Sequence, residues 1–260
     1  MSARFAFVIP VYNEEPRIAV LLEELLPFVR SRPGSLVVVS DNASSDGTVA
    51  QVRARMNPDN AHCLHLIEAP AKGQGVAYER GMAHIQSLGV SADTWVVLSA
   101  ADLPFYFSDA LGVETWGEGY DLVIGSKAHP RSRIARGPLR GILSRIFLWI
   151  RILLLNMRSR DPQGCLFIRA RHLGLRTRCE ARNYFFATQL VYEIEREGLK
   201  VLEVPVILRP DDRPSKVRVV RDSLEILRQT WAFSRRRGRI RSRTATAWAP
   251  GEPQGPDWRS

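Results

Sequence analysis

The 260-residue sequence predicts an α/β protein with a mixed, mostly parallel sheet flanked by helices. Short apolar runs alternate with amphipathic segments along most of the chain, which is the pattern of repeated strand–helix–strand units. Three of these runs also end in carboxylates and small polar residues. In an open parallel sheet, ligands bind in the crevice at the carboxyl ends of the strands. The sequence therefore predicts both the sheet and the edge at which a ligand would bind.

The first hundred residues predict four strands with helices between them. Pro16 opens the first helix, since proline is favoured in the first turn, and apolar side chains recur along one helical face from Ile18 to Val29. A second helix follows Asp46-Gly47, and a third follows the glycine loop at 72–75. The four strands are predicted at Phe5–Pro10, Leu36–Ser40, Cys63–Glu68 and Trp95–Ser99.

The rest of the chain completes a single predicted domain over residues 1–243. Within it we expect a basic amphipathic helical region at about 134–160 and a C-terminal helix at about 217–234. Residues 244–260 are rich in Pro, Gly and Ala without periodicity, which predicts a disordered tail. Later strands are predicted at Asp121–Ser126, Cys165–Ala170 and Lys200–Val206, with a helix between the last two that includes Leu190, Ile194 and Glu197.

Charge and composition indicate an anionic partner. The chain carries 37 Lys and Arg against 27 Asp and Glu, a net charge of +10, which favours a nucleotide, nucleic acid or membrane surface. No aromatic interleaving or binding motif accompanies the basic run at 234–243, so nucleic acid is not predicted. The three cysteines lack metal-like spacing and indicate reduced cytosolic thiols. The apolar stretch at residues 5–10 is too short for a signal peptide and no apolar segment reaches membrane-spanning length, so we expect neither a signal peptide nor a membrane span.

The basic region at 134–160 predicts a helix at a membrane surface. Arg140, Ser144, Arg151 and Arg158 fall on one helical face, and a broad apolar face beside them includes Trp149. A basic face next to an apolar face suits an interfacial helix on an anionic leaflet. The alternative is a helix packed on the core with a solvated arginine face. The remaining apolar positions are Leu143, Phe147, Ile150 and Leu154.

The loops after the first two strands predict a nucleotide site. A carboxylate such as Asp41 accepts hydrogen bonds from the N–H edge of uracil or guanine, and the ring of Tyr12 stacks on a base. The alternative is that the Asn and Asp residues of these loops are turn and cap residues. Further along, Lys72 opens a glycine loop that enters a helix, and free N–H groups at helix N-termini bind phosphates. Glycine loops before helices are common, so this signal is weak alone.

Several motifs in this order resemble the inverting family 2 glycosyltransferases, which have the GT-A fold. They are VIPVYNEE (8–15), DNASSDGT (41–48), AKGQGVAYERGM (71–82), the strand end AADL (100–103), and EVPV followed by RPSKV (203–217). The subgroup that looks most similar is the dolichol- or polyprenyl-phosphate mannosyl- and glucosyltransferases. The resemblance spans about Phe5 to Phe233. It implies transfer of a sugar, with inversion, from a nucleotide-diphospho-sugar such as GDP-mannose or UDP-glucose to a lipid-phosphate acceptor.

The resemblance also implies roles for individual residues. Asp102 would ligate Mg²⁺ or Mn²⁺ as the second acid of an Asp-x-Asp pair. The nucleotide-sugar would be bound by Pro10, Tyr12, Glu14, Asp41, Lys72, Arg80 and Asp102. The acceptor would be bound by Asp161, Gln163 and Ser215, while Arg213 and Lys216 would clamp phosphate during catalysis. The implied location is cytoplasmic, peripheral at the inner face of the cell membrane.

The departures from the family pattern concern acids. Ala100 stands where the first metal carboxylate of the family lies, and Ala187 and Gln189 replace two further acids. Transfer to a sugar hydroxyl needs a general base, whereas a phosphate acceptor is already anionic. The replacement of these acids should therefore impair transfer to a hydroxyl more than transfer to a phosphate. They also motivate a second hypothesis, a catalytically degraded relative that binds nucleotide sugar or membrane as a partner or regulator. A GT-A nucleotidyltransferase ranks lower, because YNEEPR replaces its glycine-rich loop.

Overall fold

A computed structural model of the chain describes residues 4–68, 72–100, 108–134, 138–207, 219–240, 246–248 and 250. Side chains at 108, 138–145 and 219–224 are outside this description, as are the predicted site residues Asp102, Arg213, Ser215 and Lys216. The strands are β1 Phe5–Val11, β2 Leu36–Asp41, β3 Leu64–Glu68, β4 Trp95–Leu98, β5 Leu122–Ser126, β6 Cys165–Arg169, β7 Val201–Pro205 and β8 Ala247–Trp248. The α-helices are α1 Glu15–Arg30, α2 Thr48–Arg53, α3 Gln74–Ser87, α4 Ser108–Trp116, α5 Pro138–Leu155, α6 Phe185–Arg196 and α7 Val219–Arg237.

The sheet is mixed and mostly parallel, which confirms the predicted fold class. Its strand order is β3-β2-β1-β4-β6-β5-β7-β8. Among the described strands, only β6 runs antiparallel to both of its neighbours, and β1 to β4 are parallel. Helix α1 covers the sheet with a buried stripe from Ile18 to Val29, at the predicted helical spacing. Because β6 is reversed, the turn that precedes it lies at the same edge as the carboxyl ends of β4 and β5.

Two helical segments follow no prediction. Helix α4 and a 3-10 helix at Ala170–Arg178 come from sequence with little apolar periodicity. Cys165 at the start of β6 is buried, and all three cysteines are free. None of the helices in the described part of the chain combines the length and apolar character that a membrane span requires.

Two residues of the segment predicted as a disordered tail, Ala247 and Trp248, have strand structure. These residues form β8, which pairs with β7 with Trp248 opposite Glu203. The Trp248 ring lies 4.5 Å from the ring of buried His129, and the Arg160 guanidinium lies 4.6 Å from its centre. Without β8, β7 would leave backbone groups unpaired at the edge of the sheet, and the Trp248 indole gains by burial. Backbone pairing and burial of the indole therefore both favour this short strand.

Candidate functional site

The polar loops predicted from the sequence meet at one edge of the sheet. Val11 lies opposite Asp41 in the β1–β2 register, so Tyr12 follows directly beside the end of β2. Leu98 at the end of β4 pairs with Leu166, and Gly125 near the end of β5 pairs with Cys165. The turn at 161–164 therefore reaches the edge that carries Tyr12 and Asp41. The predicted crevice therefore brings together the carboxyl ends of β1, β2, β4 and β5 and the turn that precedes β6.

The first two loops hold each other through side-chain bonds to backbone. The carboxamide oxygen of Asn13 accepts the N–H of Ser45 at 2.8 Å, and a carboxylate oxygen of Glu15 accepts the N–H of Gly47 at 2.9 Å. Asp46 accepts from the Thr48 N–H at 3.0 Å, and these bonds lower the pKa of its carboxyl although burial opposes them. Asp46 thus acts as a local turn residue, as the alternative interpretation of these loops expected, whereas Asn13 bonds across to the second loop.

Asp41 and Tyr12, which the sequence predicts to bind a nucleotide base, differ in how exposed they are. Asp41 is 4% exposed, and both of its carboxylate oxygens accept the Ser44 N–H, at 3.3 and 3.2 Å. Tyr12 is 37% exposed, and its hydroxyl accepts a 2.5 Å hydrogen bond from Lys72 Nζ. The ammonium also lies 4.4 Å from the ring centre, a cation–π distance. The structure therefore joins the predicted base-stacking ring to the predicted phosphate-binding cation.

The other residues predicted to bind the nucleotide-sugar lie in different surroundings. Pro10 is half-buried in β1. Glu14 carries an ion pair with Arg17 at 3.2 Å. Arg80 is exposed on α3, in a groove that it shares with Ile67 and Ser87. Tyr78, two residues earlier, points towards the crevice and donates to the Ser99 carbonyl at 3.2 Å. Arg80 therefore lies on a different face of α3 from the residue that approaches β4.

The glycine loop has a packing role that its sequence did not reveal. A Cβ on Gly73 would lie 2.2 Å from the Arg182 carbonyl oxygen, and one on Gly75 would lie 2.4 Å from the Ala181 carbonyl oxygen. The Gly75 N–H donates to Arg182 at 3.0 Å. This amide is therefore already used, and the glycines permit close approach of two backbone segments. Lys72 remains the residue of this loop that is predicted to bind a phosphate.

Gln189 supports the segment against which the glycine loop packs. Its side chain is 2% exposed, and its carboxamide oxygen accepts the N–H groups of Glu180 and Ala181, both at 2.8 Å. A carboxylate at this position would accept the same two bonds. Gln189 therefore keeps the local geometry without the charge that the family resemblance leads one to expect.

The predicted acceptor residues Asp161 and Gln163 form a turn held by Lys127. A carboxylate oxygen of Asp161 accepts the Lys127 N–H at 2.7 Å and pairs with its Nζ at 3.1 Å. The same ammonium donates to the Gln163 carbonyl at 3.1 Å, while the Gln163 side chain is exposed. Lys127 follows β5 and lies 34 residues from Asp161, so no local sequence pattern connects the two.

Buried acids surround this turn, and the sequence did not single them out. Burial raises the pKa of Glu203 to about 7 and that of Asp109 to about 6; it also raises the pKa of Glu195. Glu203 interrupts an apolar strand run, and this is the signal that sequence reasoning had available. Asp109 packs beneath Gly125, where an added Cβ would lie 3.0 Å from the Cβ of Asp109.

Arg151 lies near the same acids and corrects one detail of the predicted basic face. The residue as a whole is half-buried, and its guanidinium donates to the Arg160 carbonyl at 2.8 Å. Burial lowers the pKa of Arg151, and the charges of Asp161, Glu203 and Glu195 act in the opposite direction. Arg151 therefore faces the turn at 161–163 that carries the predicted acceptor residues, called the acceptor turn below. The outward face of α5 is apolar instead, with Ile146, Trp149 and Leu153 exposed by 44%, 62% and 62%.

The described residues contain no group of three or more His, Cys, Asp or Glu side chains placed to hold a metal ion. Ala100, where the family resemblance places the first metal carboxylate, lies just beyond β4. A hard divalent cation on a diphosphate takes oxygen ligands, and protein carboxylates often supply only one or two of them. The residue available for this role in the sequence is Asp102, beyond the described part of the site.

Comparison with known proteins places these features in a family. Residues 6–174 match the model of glycosyl transferase family 2. Glycosyltransferase AglD of Haloferax volcanii is 28% identical over 240 residues, which cover 87% of this chain and 37% of that protein. Dolichyl-phosphate beta-glucosyltransferase of Saccharomyces cerevisiae is 24% identical over 239 residues, 84% of this chain and 70% of that protein. The chain thus spans little more than a third of AglD.

A solved structure shows the same fold. Glucosyl-3-phosphoglycerate synthase from Mycobacterium tuberculosis, in complex with uridine diphosphate, superposes with a TM-score of 0.60 at 20% identity. The match covers 88% of this chain and 80% of that one. The fold is therefore GT-A, as the sequence motifs predicted. With its family model matched from residue 6 to residue 174, this chain belongs to glycosyl transferase family 2.

Proposed function

We propose that this chain is an inverting glycosyltransferase that moves a sugar from a nucleotide-diphospho-sugar to a polyprenyl phosphate. One observation carries the proposal: in a family 2 chain, the donor-side pair Tyr12–Lys72 and the acceptor-side turn at Asp161 lie at the same edge of the sheet. Relatives named dolichyl-phosphate beta-glucosyltransferase favour UDP-glucose as donor and a lipid phosphate as acceptor, with GDP-mannose as the second donor to test.

The proposed reaction needs little acid–base chemistry. An acceptor phosphate oxygen forms the new bond to the anomeric carbon, the bond from that carbon to the diphosphate breaks, and the nucleoside diphosphate leaves with the electron pair. No proton is removed from the acceptor, because its oxygen is already anionic. In this scheme Asp41 accepts from the base, Tyr12 stacks on it, and Lys72 lies near the diphosphate. Arg213 and Lys216 would clamp phosphate, with Ser215 beside them.

Mg²⁺ or Mn²⁺, held by Asp102 together with diphosphate oxygens, would neutralise charge on the leaving group. Solved complexes of the structural neighbour with Mn²⁺ and UDP-glucose support the family use of a divalent ion. Ala100 leaves one acid at this position, so we expect weaker binding of the ion than a paired site gives.

The outer face of α5 supports contact with a membrane. Ile146, Trp149 and Leu153 recur at helical spacing and are each more than 40% exposed. Helix α7, which contacts α5, adds Trp231, 50% exposed, with the Arg235 guanidinium 4.0 Å from its ring centre. Apolar anchors beside arginines suit the surface of an anionic leaflet. We propose peripheral attachment here, on the cytoplasmic side, next to the acceptor turn.

Transfer of radiolabelled glucose from UDP-glucose to polyprenyl phosphate, with Mn²⁺ or Mg²⁺, tests the activity. Asp102→Ala should lower kcat about 100-fold or more, since a group that stabilises the leaving charge is lost. Unchanged turnover would remove Asp102 from the mechanism. The absence of transfer with every donor, together with UDP or GDP binding that is indifferent to metal, would favour the degraded relative suggested by Ala100, Ala187 and Gln189.

Vesicle flotation tests the membrane contact. Trp149→Glu should reduce binding to vesicles that contain anionic lipid, because a charge would enter the apolar boundary. Val20→Glu is the matched control, since Val20 is a comparable exposed apolar residue, 48% exposed, on α1. Equal flotation of the wild type and both variants would contradict the proposed surface.

A further inference from the structure

The backbone that leads into the acceptor turn is bound by two buried carboxylates. The Glu195 carboxylate accepts the N–H groups of Arg158 and Ser159, both at 2.8 Å. The Glu203 carboxylate accepts the next N–H along the chain, that of Arg160, at 2.5 Å. Glu195 belongs to α6 and Glu203 to β7. Three consecutive amides are therefore held by acids from two separate elements.

Glu195 and Glu203 hold this backbone segment at an energetic cost, because both carboxylates are buried. The Glu203 side chain is 0% exposed and that of Glu195 is 6% exposed, and burying a carboxylate is costly unless it is paired. Arg151 supplies positive charge to both and also binds the Arg160 carbonyl. The segment at 158–160 is thus fixed through its N–H groups and through a carbonyl. An irregular segment gains a single defined path from such bonds.

The fixed segment continues directly into the predicted acceptor residues. Asp161 follows Arg160 and is bound by Lys127 through two groups. Beyond it, Gly164 lies so close to β5 that an added Cβ would be 2.3 Å from the Gly125 carbonyl oxygen. The turn is therefore held on both sides, by the two glutamates before it and by β5 after it. A change at Glu203 would free only the Arg160 N–H, the bond on the first side that lies next to Asp161.

We infer that Glu203 is a positioning residue for the acceptor site: through the Arg160 amide it sets where the Asp161–Gln163 turn meets the acceptor phosphate. This inference rests on the proposed function for the identity of the acceptor. Glu203 itself touches no reacting atom. Its effect should therefore appear in acceptor binding and leave donor binding unchanged.

Kinetics with Glu203→Leu, Glu203→Gln and Glu193→Gln test the inference. Leucine cannot accept the Arg160 N–H, so the KM for polyprenyl phosphate should rise about tenfold or more, with donor KM and UDP affinity changed less than twofold. Glutamine keeps an accepting oxygen and should restore an acceptor KM close to that of the wild type. Glu193 is the matched control: it is a 0% exposed glutamate on α6 that pairs with Arg178 and Arg196 instead.

A second pair of variants tests the Arg160 N–H, the hydrogen-bond donor to Glu203, and leaves Glu203 itself intact. Arg160→Pro lacks the N–H, whereas Arg160→Ala retains it and loses only the exposed side chain. The proline variant should reproduce the rise in acceptor KM, and the alanine variant should not. This pair keeps the test valid if Glu203→Leu fails to fold. A folded Glu203→Leu or Arg160→Pro protein with an unchanged acceptor KM, or with donor and acceptor KM raised equally, would overturn the inference.

Amide hydrogen exchange separates failure of the inference from failure of the proposed function. In Glu203→Leu, exchange should accelerate in peptides covering 158–163 and not in peptides from β1 or α3, whereas Glu193→Gln should leave 158–163 protected. If the wild-type protein transfers no sugar, the proposed function fails, and the acceptor role inferred for Glu203 fails with it, whatever the exchange result. If the wild-type protein is active and exchange at 158–163 does not change, the positioning role is refuted.

Discussion

Replacing Glu203 by glutamine should change how the stability of the protein depends on pH. Glu203 lies in the middle of β7 with its side chain 0% exposed. Burial raises the pKa of this carboxyl from 4.5 to about 7, and the Asp161 charge adds to the effect. The hydrogen bond with the Ser126 side chain and the N–H and charge of Arg160 oppose it. Glu195 and Arg151 complete the charged surroundings. Glutamine preserves the size and the accepting oxygen and removes the titration.

The sign follows from where the proton binds more tightly. The folded protein holds a proton on Glu203 more strongly than the unfolded chain does, because the folded pKa is the higher one. The stabilisation linked to that proton is fully present below pH 4.5 and is lost as pH rises through about 7. At about 1.4 kcal/mol per pKa unit, the loss approaches about 3 kcal/mol. The glutamine variant should not show it.

Urea unfolding of both proteins at pH 5, 6, 7 and 8 measures the difference. The free energy of unfolding of Glu203→Gln, relative to wild type, should become more favourable by about 1–3 kcal/mol between pH 5 and pH 8. The urea m-values should agree, so that the comparison concerns stability and not the extent of unfolding. Parallel stability curves across this range would refute the raised pKa and the burial argument behind it.

Three further substitutions test the donor side of the site. Ala43 has φ +61°, a left-handed conformation that disfavours a Cβ, so Ala43→Gly should raise the free energy of unfolding by about 0.5–1 kcal/mol in urea titrations; a lower value would contradict the strain. Gly73→Ala should lower it by about 2 kcal/mol or more, since its Cβ would meet the Arg182 carbonyl, and an unchanged midpoint would show that the loop yields. Lys72→Ala should weaken UDP binding about tenfold by calorimetry, while equal affinity would remove Lys72 from the donor site.

The strands and the first helix were predictable because their signals are local. β1, β2 and β4 are short apolar runs, which indicate buried strands without reference to any other part of the chain. The buried stripe from Ile18 to Val29 repeats at the helical period. The convergence of Tyr12 and Asp41 was predictable from topology, since parallel strands end at the same edge. The edge of the sheet at which the polar loops meet could therefore be predicted from the parallel direction of the strands alone.

The acceptor side was less predictable because its bonds join distant residues. Lys127 binds Asp161 across 34 positions, and Glu203 binds the amide of Arg160 across 43. Such bonds leave no periodic trace. The packing role of the glycine loop was not predictable for a related reason. Glycine is needed equally where a phosphate approaches and where the Arg182 backbone does, and the sequence does not show which of the two lies there.

Arg151 connects the acceptor turn to the proposed membrane surface. The helical wheel placed it on a basic face towards lipid, but its guanidinium binds the Arg160 carbonyl, and the outward face of α5 carries Trp149 and Leu153. One helix therefore contacts the acceptor turn on its inner side and exposes apolar anchors on its outer side. In the proposed function this arrangement brings a lipid phosphate to the turn along the surface of the bilayer. Trp149→Glu should then weaken vesicle binding while leaving the exchange protection of 158–163 intact, because the two faces of α5 act on different partners.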